Sequence, residues 1–176
     1  MLQKEIQKFL SYLESVKQYS KHTISGYKRD LTKLSGYLLN IDIEDWQSVN
    51  EHELRTFVNS ERRRGLSPRS IQRVLSTSRS FFEYLLVEGV IKLSPAQNIN
   101  SPKSAQLLPK AMDADLVQRL LDFKPNGLIE VRDKAIAELL YSSGLRLSEV
   151  CNLDVRDLEL KERACRVTGK GNKMRV

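Results

Sequence analysis

The sequence predicts a mainly α protein in two parts: a four-helix unit, then a second unit that begins in helices and ends in short strands. Three observations carry this. Apolar residues recur every three or four positions through most of the first ninety residues, and N-cap residues and glycine stops punctuate those runs. After Leu153 the spacing changes to alternation.

The first helix runs from about Leu2 to Val16, with Ile6, Phe9, Leu10 and Leu13 on one face. The second follows Ser20 as N-cap and carries Ile24, Tyr27, Leu31, Leu34 and Leu38. A third begins after Asn50, where Glu53 completes a capping-box pattern, and carries Leu54, Phe57 and Val58 up to Gly65. The fourth opens Ser67-Pro68, with proline at its first position, and runs through Ile71, Val74, Phe81, Phe82 and Leu85 to Gly89.

Periodicity fails between Gly89 and Leu108. Ser94-Pro95, Ser101-Pro102 and Pro109 mark an extended connection, because proline cannot continue a helix and restricts the residue before it. The expected division is a helical unit over residues 1–90, a linker over 91–108 and a second unit over 109–176, with a loop packed on one unit as the alternative for the connection. The second unit begins with a helix from about Asp113 to Phe123, then a longer one from about Ile129 to Ser142 ended by Gly144. A short helix follows, on which Arg146, Val150 and Leu153 share a stripe. Leu158–Leu160 and Ala164–Thr168 read as strands, and Gly169-Lys170-Gly171 reads as a hairpin tip before Met174-Arg175-Val176.

Composition narrows the functional classes. The longest apolar runs are a few residues, far short of the roughly 20 that span a bilayer, and the N-terminus lacks a signal-peptide pattern, so a cytoplasmic protein without a membrane partner is expected. Cys151 and Cys165 have no companions at metal-ligand spacing; small semi-buried thiols and no metal site are expected. His22 and His52 read as surface residues.

The net charge of +7 favours a polyanionic partner. Residues 1–90 hold 14 Lys+Arg against 11 Asp+Glu and the remainder 15 against 11, so the excess is spread over both halves and a binding face must be assembled by folding. The best placed candidates for phosphate contact are Ser20, Lys21, Thr23 and Lys28 on the first turns of the second helix, where backbone N–H groups also point at an anion, and Arg69 and Arg73 on the fourth. A solvated charged face is the competing reading of these residues.

In the second unit, Arg146 sits between two leucines just after a helix stop, three residues from Glu149 and bordering the apolar stripe. Lys170, between two glycines, has an unhindered stem at a turn. The turn is not a nucleotide phosphate loop, which needs a spaced glycine, a Lys-Ser/Thr pair and a following helix.

These stretches resemble a known family. Tyr141-Ser-Ser-Gly-Leu-Arg-Leu-Ser-Glu-Val-Cys-Asn-Leu153, with Val167-Thr-Gly-Lys-Gly-Asn-Lys-Met-Arg175 downstream, is similar to the tyrosine site-specific recombinases, most closely their bacterial Xer type. Tyr19-Ser-Lys-His-Thr23, Gly65-Leu-Ser-Pro68 and Ser80-Phe-Phe-Glu-Tyr84 extend the resemblance into the first half. It implies a four-helix SAM-like core-binding domain followed by the N-terminal part of an α+β catalytic domain.

The resemblance also implies the chemistry: a tyrosine hydroxyl attacks the scissile phosphate, giving a 3′-phosphotyrosine and a free 5′-hydroxyl, without metal or other cofactor. Arg146 matches the first catalytic arginine, whose planar fork meets the charge on the nonbridging oxygens. Glu149 matches a supporting acidic position, and Lys170 the hairpin lysine that protonates the leaving 5′-oxygen. Tyr141 matches a position that is not the nucleophile. The nucleophile and the His-x-x-Arg motif are expected beyond Val176, so DNA binding without cleavage is expected of these residues alone. Implied partners are double-stranded DNA, a related recombinase in a tetramer on two DNA sites, and a DNA translocase, in the resolution of chromosome dimers before cell division. The alternatives are a phage or mobile-element integrase, a non-catalytic DNA-binding protein, and a helical scaffold with an incidental basic face.

Overall fold

A computed structural model of the protein describes residues 2–102, 111–168 and 174–175. The chain divides into two compact units, Met1–Leu107 and Leu108–Val176.

Four helices build the first unit: α1 (Leu2–Ser15), α2 (Lys21–Leu39), α3 (Glu51–Arg63) and α4 (Pro68–Val87). The predicted caps start them. Ser20 Oγ accepts the Thr23 N–H at 3.3 Å, and Ser67 Oγ accepts the Ser70 N–H at 3.3 Å. At α3 the Asn50 side chain accepts the His52 N–H at 2.8 Å while Glu53 accepts the Asn50 N–H at 3.0 Å, so donors that a helix start would orphan are satisfied in both directions. The apolar stripes meet in one core that includes Phe9, Leu31, Leu54, Phe57, Leu75 and Phe82. Phe9 packs edge-on to Phe81 with ring centroids 5.3 Å apart.

Two segments without helical periodicity complete that core. Trp46, between α2 and α3, is buried edge-on to Phe81 at 4.7 Å, and its Nε1–H donates to the Leu2 carbonyl at 3.1 Å. The second segment is the first part of the expected linker. Ile91, Ala96 and Ile99 are buried in the same core. Arg79 donates to the carbonyl of Ile99 at 2.5 Å and to Ser101 Oγ at 3.3 Å, and Gln72 donates to the Pro102 carbonyl at 2.7 Å. Residues 91–102 therefore strap α4 instead of running free of it, because three apolar side chains spaced irregularly along the segment find the core.

In the second unit, α5 (Ala114–Leu121), α6 (Leu128–Ser143) and α7 (Leu147–Cys151) precede a 3₁₀ turn, Val155–Asp157. Among the described residues four two-residue strands follow as two antiparallel pairs: β1 (Leu158–Glu159) with β2 (Ala164–Cys165), and β3 (Val167–Thr168) with β4 (Met174–Arg175). The stretch read as one strand, Ala164–Thr168, is divided at Arg166, whose N–H turns to the Asp157 carbonyl at 2.8 Å. Much of the apolar face of α5 and α6 is exposed, including Leu116, Leu120, Leu128, Ile129 and Val131. Cys165 is half-buried, as expected; Cys151, at the end of α7, is exposed, which corrects the semi-buried reading for that thiol. No metal-binding group of His, Cys, Asp and Glu side chains occurs among the described residues, and none of the described helices is long and apolar enough to cross a membrane.

Candidate functional site

Gly144 ends α6 with φ 60°, a left-handed conformation that glycine adopts without steric cost. The chain thereby leaves the helix at Gly144 and enters α7 through Leu145 and an extended Arg146, with φ −75° and ψ 151°. Arg146 is the N-cap of α7 and not part of its apolar stripe, a correction to the sequence reading: an N-cap side chain departs from the helix end, whereas an interior one would lie along it.

Glu149 faces back across that turn. Its Oε2 accepts the Arg146 backbone N–H at 2.7 Å and its Oε1 accepts the Arg146 guanidinium Nη1 at 2.9 Å. The carboxylate is buried, with 4% of its side chain exposed, while the Arg146 side chain is 65% exposed. One buried acid thus fixes both the backbone and one nitrogen of an arginine whose other nitrogens meet no acceptor among the described residues. A fork held this way suits an anion with two equivalent oxygens, because the geometry for bidentate contact is set before the ligand arrives. Glu149 also lines a small cavity of about 120 Å³, together with Asp157, Arg166, Thr168 and Met174. The β3–β4 pair thus opens next to the pinned arginine's carboxylate. Lys170 lies outside the described residues. Tyr141 is exposed on α6.

In the first unit the predicted basic residues separate by environment. Lys21, Lys28 and Arg69 are exposed on the early turns of α2 and α4. The Ser20 and Thr23 hydroxyls are hydrogen-bonded to each other at 2.9 Å as part of the α2 cap. Arg73 is different: its Nη1 donates to Asp30 Oδ2 at 2.5 Å and to the Gly26 carbonyl at 3.4 Å, which ties α4 to α2. Thr77 donates to the same carboxylate oxygen at 3.2 Å.

Sequence reasoning missed Asp30 and Glu61, both buried. Glu61 pairs with Arg64 at 2.8 Å and Lys33 at 3.5 Å. A signal existed for Asp30: it falls three residues after Tyr27 and four before Leu34, on the buried stripe of α2, where an acid needs a partner. Arg79 of α4 clamps the strap at Ile99 and Ser101.

Residues 6–89 match the phage integrase N-terminal SAM-like domain, and residues 110–176 match the phage integrase family. The tyrosine recombinase XerC of Pseudomonas aeruginosa is 44% identical over 172 residues, 97% of this chain and 57% of that protein. XerC of Xanthomonas campestris is 44% identical over 171 residues, covering 97% of this chain and 53% of its own. The chain therefore spans little more than half the length of these curated relatives. Among solved structures, a lambda integrase dimer bound to a COC′ core site superposes with a TM-score of 0.75 at 16% identity, covering 98% of this chain and 60% of that one. The Tn1549 transposon integrase in complex with a circular intermediate DNA gives 0.71 at 17% identity, covering 97% and 55%. At those identities the likeness is one of fold.

Proposed function

Since the chain belongs to the phage integrase family, with both the SAM-like domain and the start of the catalytic domain in place, we propose that its protein is a site-specific tyrosine recombinase. It breaks and rejoins double-stranded DNA through a 3′-phosphotyrosine. The single observation that carries the reading is the Arg146–Glu149 clasp, in which an arginine at a helix start is pinned by one nitrogen to a buried carboxylate.

In the proposed mechanism the free edge of the Arg146 guanidinium contacts the nonbridging oxygens of the scissile phosphate. Negative charge grows there as the tyrosine oxygen attacks, and a fork already in position stabilises that charge without reorganising. Glu149 is a positioning residue that keeps the fork in place. Lys170 supplies the proton to the departing 5′-oxygen. Lys21, Lys28, Arg69 and Arg73 contact phosphates flanking the site, and Ser20 and Thr23 order the start of α2, so these groups position the protein while base contacts specify the sequence.

The 44% identity to XerC proteins supports chromosome dimer resolution in the cytoplasm over integration of a mobile element. A related recombinase in a tetramer on two sites is the proposed partner, with a DNA translocase as activator. One neighbour of similar fold, at TM-score 0.73 and 17% identity, is a lambda integrase tetramer bound to a Holliday junction.

The test is incubation of the chain with a labelled, nicked duplex carrying the recombination site of the Pseudomonas relative, read by mobility shift and by denaturing gel. A shifted complex that weakens steeply with salt is expected, without a covalent band. A covalent adduct would place the nucleophile among these 176 residues and overturn the site assignment. In the full-length recombinase, Arg146→Ala is expected to leave binding within about twofold while lowering cleavage by about a hundredfold or more; equal loss of both refutes its role.

A further inference from the structure

Among the described residues three buried carboxylates each hold an arginine that reaches the surface: Asp30 with Arg73, Glu61 with Arg64, and Glu149 with Arg146. Glu149 has a place in the proposed mechanism. The Glu61–Arg64 pair joins neighbours three residues apart at the end of one helix, and Lys33 of α2 shares the same carboxylate. The Asp30–Arg73 pair is unlike it, since it joins two helices across 43 positions of sequence. What it shares with Arg146 and Glu149 is a buried carboxylate that holds one guanidinium nitrogen of an arginine reaching the surface.

We propose that Asp30 is a positioning residue for DNA binding: by pinning Arg73 through one nitrogen, it holds the rest of the guanidinium as a ready fork for a backbone phosphate. The inference rests on the DNA-binding reading above and deepens it. The carboxylate is 3% exposed and the arginine side chain 43% exposed, so the pair straddles the protein surface. Nη1 is committed to Asp30 and to the Gly26 carbonyl, and the opposite edge, Nη2 with Nε, meets no acceptor among the described residues. Thr77 donates to Asp30 and keeps the carboxylate from turning away. A free arginine loses side-chain freedom on gripping a phosphate, whereas one already fixed loses little more. Lys21, Lys28 and Arg69, exposed on the same two helices, supply the attraction that brings a polyanion to this face.

The two ways Asp30 could act differ in sign. As a bare negative charge on a polyanion-binding surface it opposes binding, and its removal would tighten the complex. As the anchor of Arg73 it favours binding, and its removal would loosen the complex. The experiment is a fluorescence-anisotropy titration of a mixed-sequence DNA duplex at several salt concentrations. It uses the wild-type chain, Asp30→Asn, Arg73→Ala and the double variant, with a thermal melt of each. Phosphate contacts do not depend on sequence, so this duplex is a sufficient probe.

Arg73→Ala is expected to weaken binding about tenfold and to lower the salt slope by about 0.9, one phosphate contact. Asp30→Asn is expected to weaken binding by roughly threefold to tenfold with an unfolding midpoint no lower than wild type. The double variant should bind no worse than Arg73→Ala, because Asp30 acts through Arg73. Arg73→Lys, which keeps the charge but not the fork, should bind nearly as poorly as Arg73→Ala, and it serves as the test if Asp30→Asn does not fold. Unchanged or tighter binding by Asp30→Asn overturns the proposal, as does a further loss from Asp30→Asn in the Arg73→Ala background, or full affinity in Arg73→Lys. If the wild-type chain shows no salt-dependent binding, the DNA reading itself falls and this inference with it.

Discussion

Two aspartates in the first unit have their pKa values moved in opposite directions, and the pH dependence of stability follows from the signs. Asp45 lies below its ordinary 3.8 because it accepts the Ser48 backbone N–H at 2.8 Å and the Ser48 hydroxyl at 3.0 Å, bonds that favour the ionised form. Its contribution is present above pH 3.8 and is lost as pH falls through the depressed folded value. Asp45→Ala should therefore lower the unfolding midpoint near neutrality, with the gap to wild type closing as the solution is acidified below pH 3.8; a gap independent of pH contradicts this. Asp30 lies above 3.8, first because burial disfavours its charge, with Arg73, Thr77 and Lys33 offsetting that only in part. The folded state holds this proton more tightly than the unfolded chain, so stability from Asp30 is greatest below pH 3.8 and declines as pH rises through the raised value. At neutral pH the charged carboxylate costs folding energy, in line with the general cost of desolvating buried ion pairs. That is why Asp30→Asn is expected to spare stability while it weakens DNA binding.

At the scale of elements, helix ends decide where functional side chains point. Gly144 is the turning point before Arg146, and a Cβ added there meets nothing within 4 Å, so the cost of Gly144→Ala comes from the φ of 60° alone. Forcing alanine into the left-handed region should destabilise the second unit by about 1 kcal/mol, read as a lower far-UV circular dichroism midpoint. A second unit that melts unchanged would mean the chain relaxes around the turn. The caps at Ser20, Asn50, Ser67 and Gly144 were legible because capping chemistry lies within a few residues of sequence. Arg146 as an N-cap was not, since it is an uncommon cap and its position depends on Glu149 reaching back to its N–H.

For the molecule as a whole, the two units differ in how completely each buries its own apolar side chains. The first closes its core over the described residues 2–102, with Trp46 and the strap bearing Ile91, Ala96 and Ile99 as its last pieces. A polypeptide of residues 1–102 should therefore unfold cooperatively, with a midpoint within a few degrees of that seen for Trp46 fluorescence in the 176-residue chain. The sequence has one tryptophan, so that signal reports the first unit alone. A non-cooperative melt would show that the unit needs residues beyond 102. The second unit leaves Leu128 89% and Ile129 68% exposed on α6. Apolar area of that kind commonly marks an interface.

The sequence by itself determined the helices, their caps, the change to strands after Leu153 and the Arg146-Glu149 motif, because each is written in local spacing that backbone geometry converts directly into structure. Tertiary structure alone decided that Trp46 and the strap belong to the first core, that Arg79 clamps that strap, and that Asp30 reaches Arg73. Those contacts join residues tens of positions apart with no repeating pattern between them. A side chain's partner at that separation is set by how the helices pack, which no local period encodes.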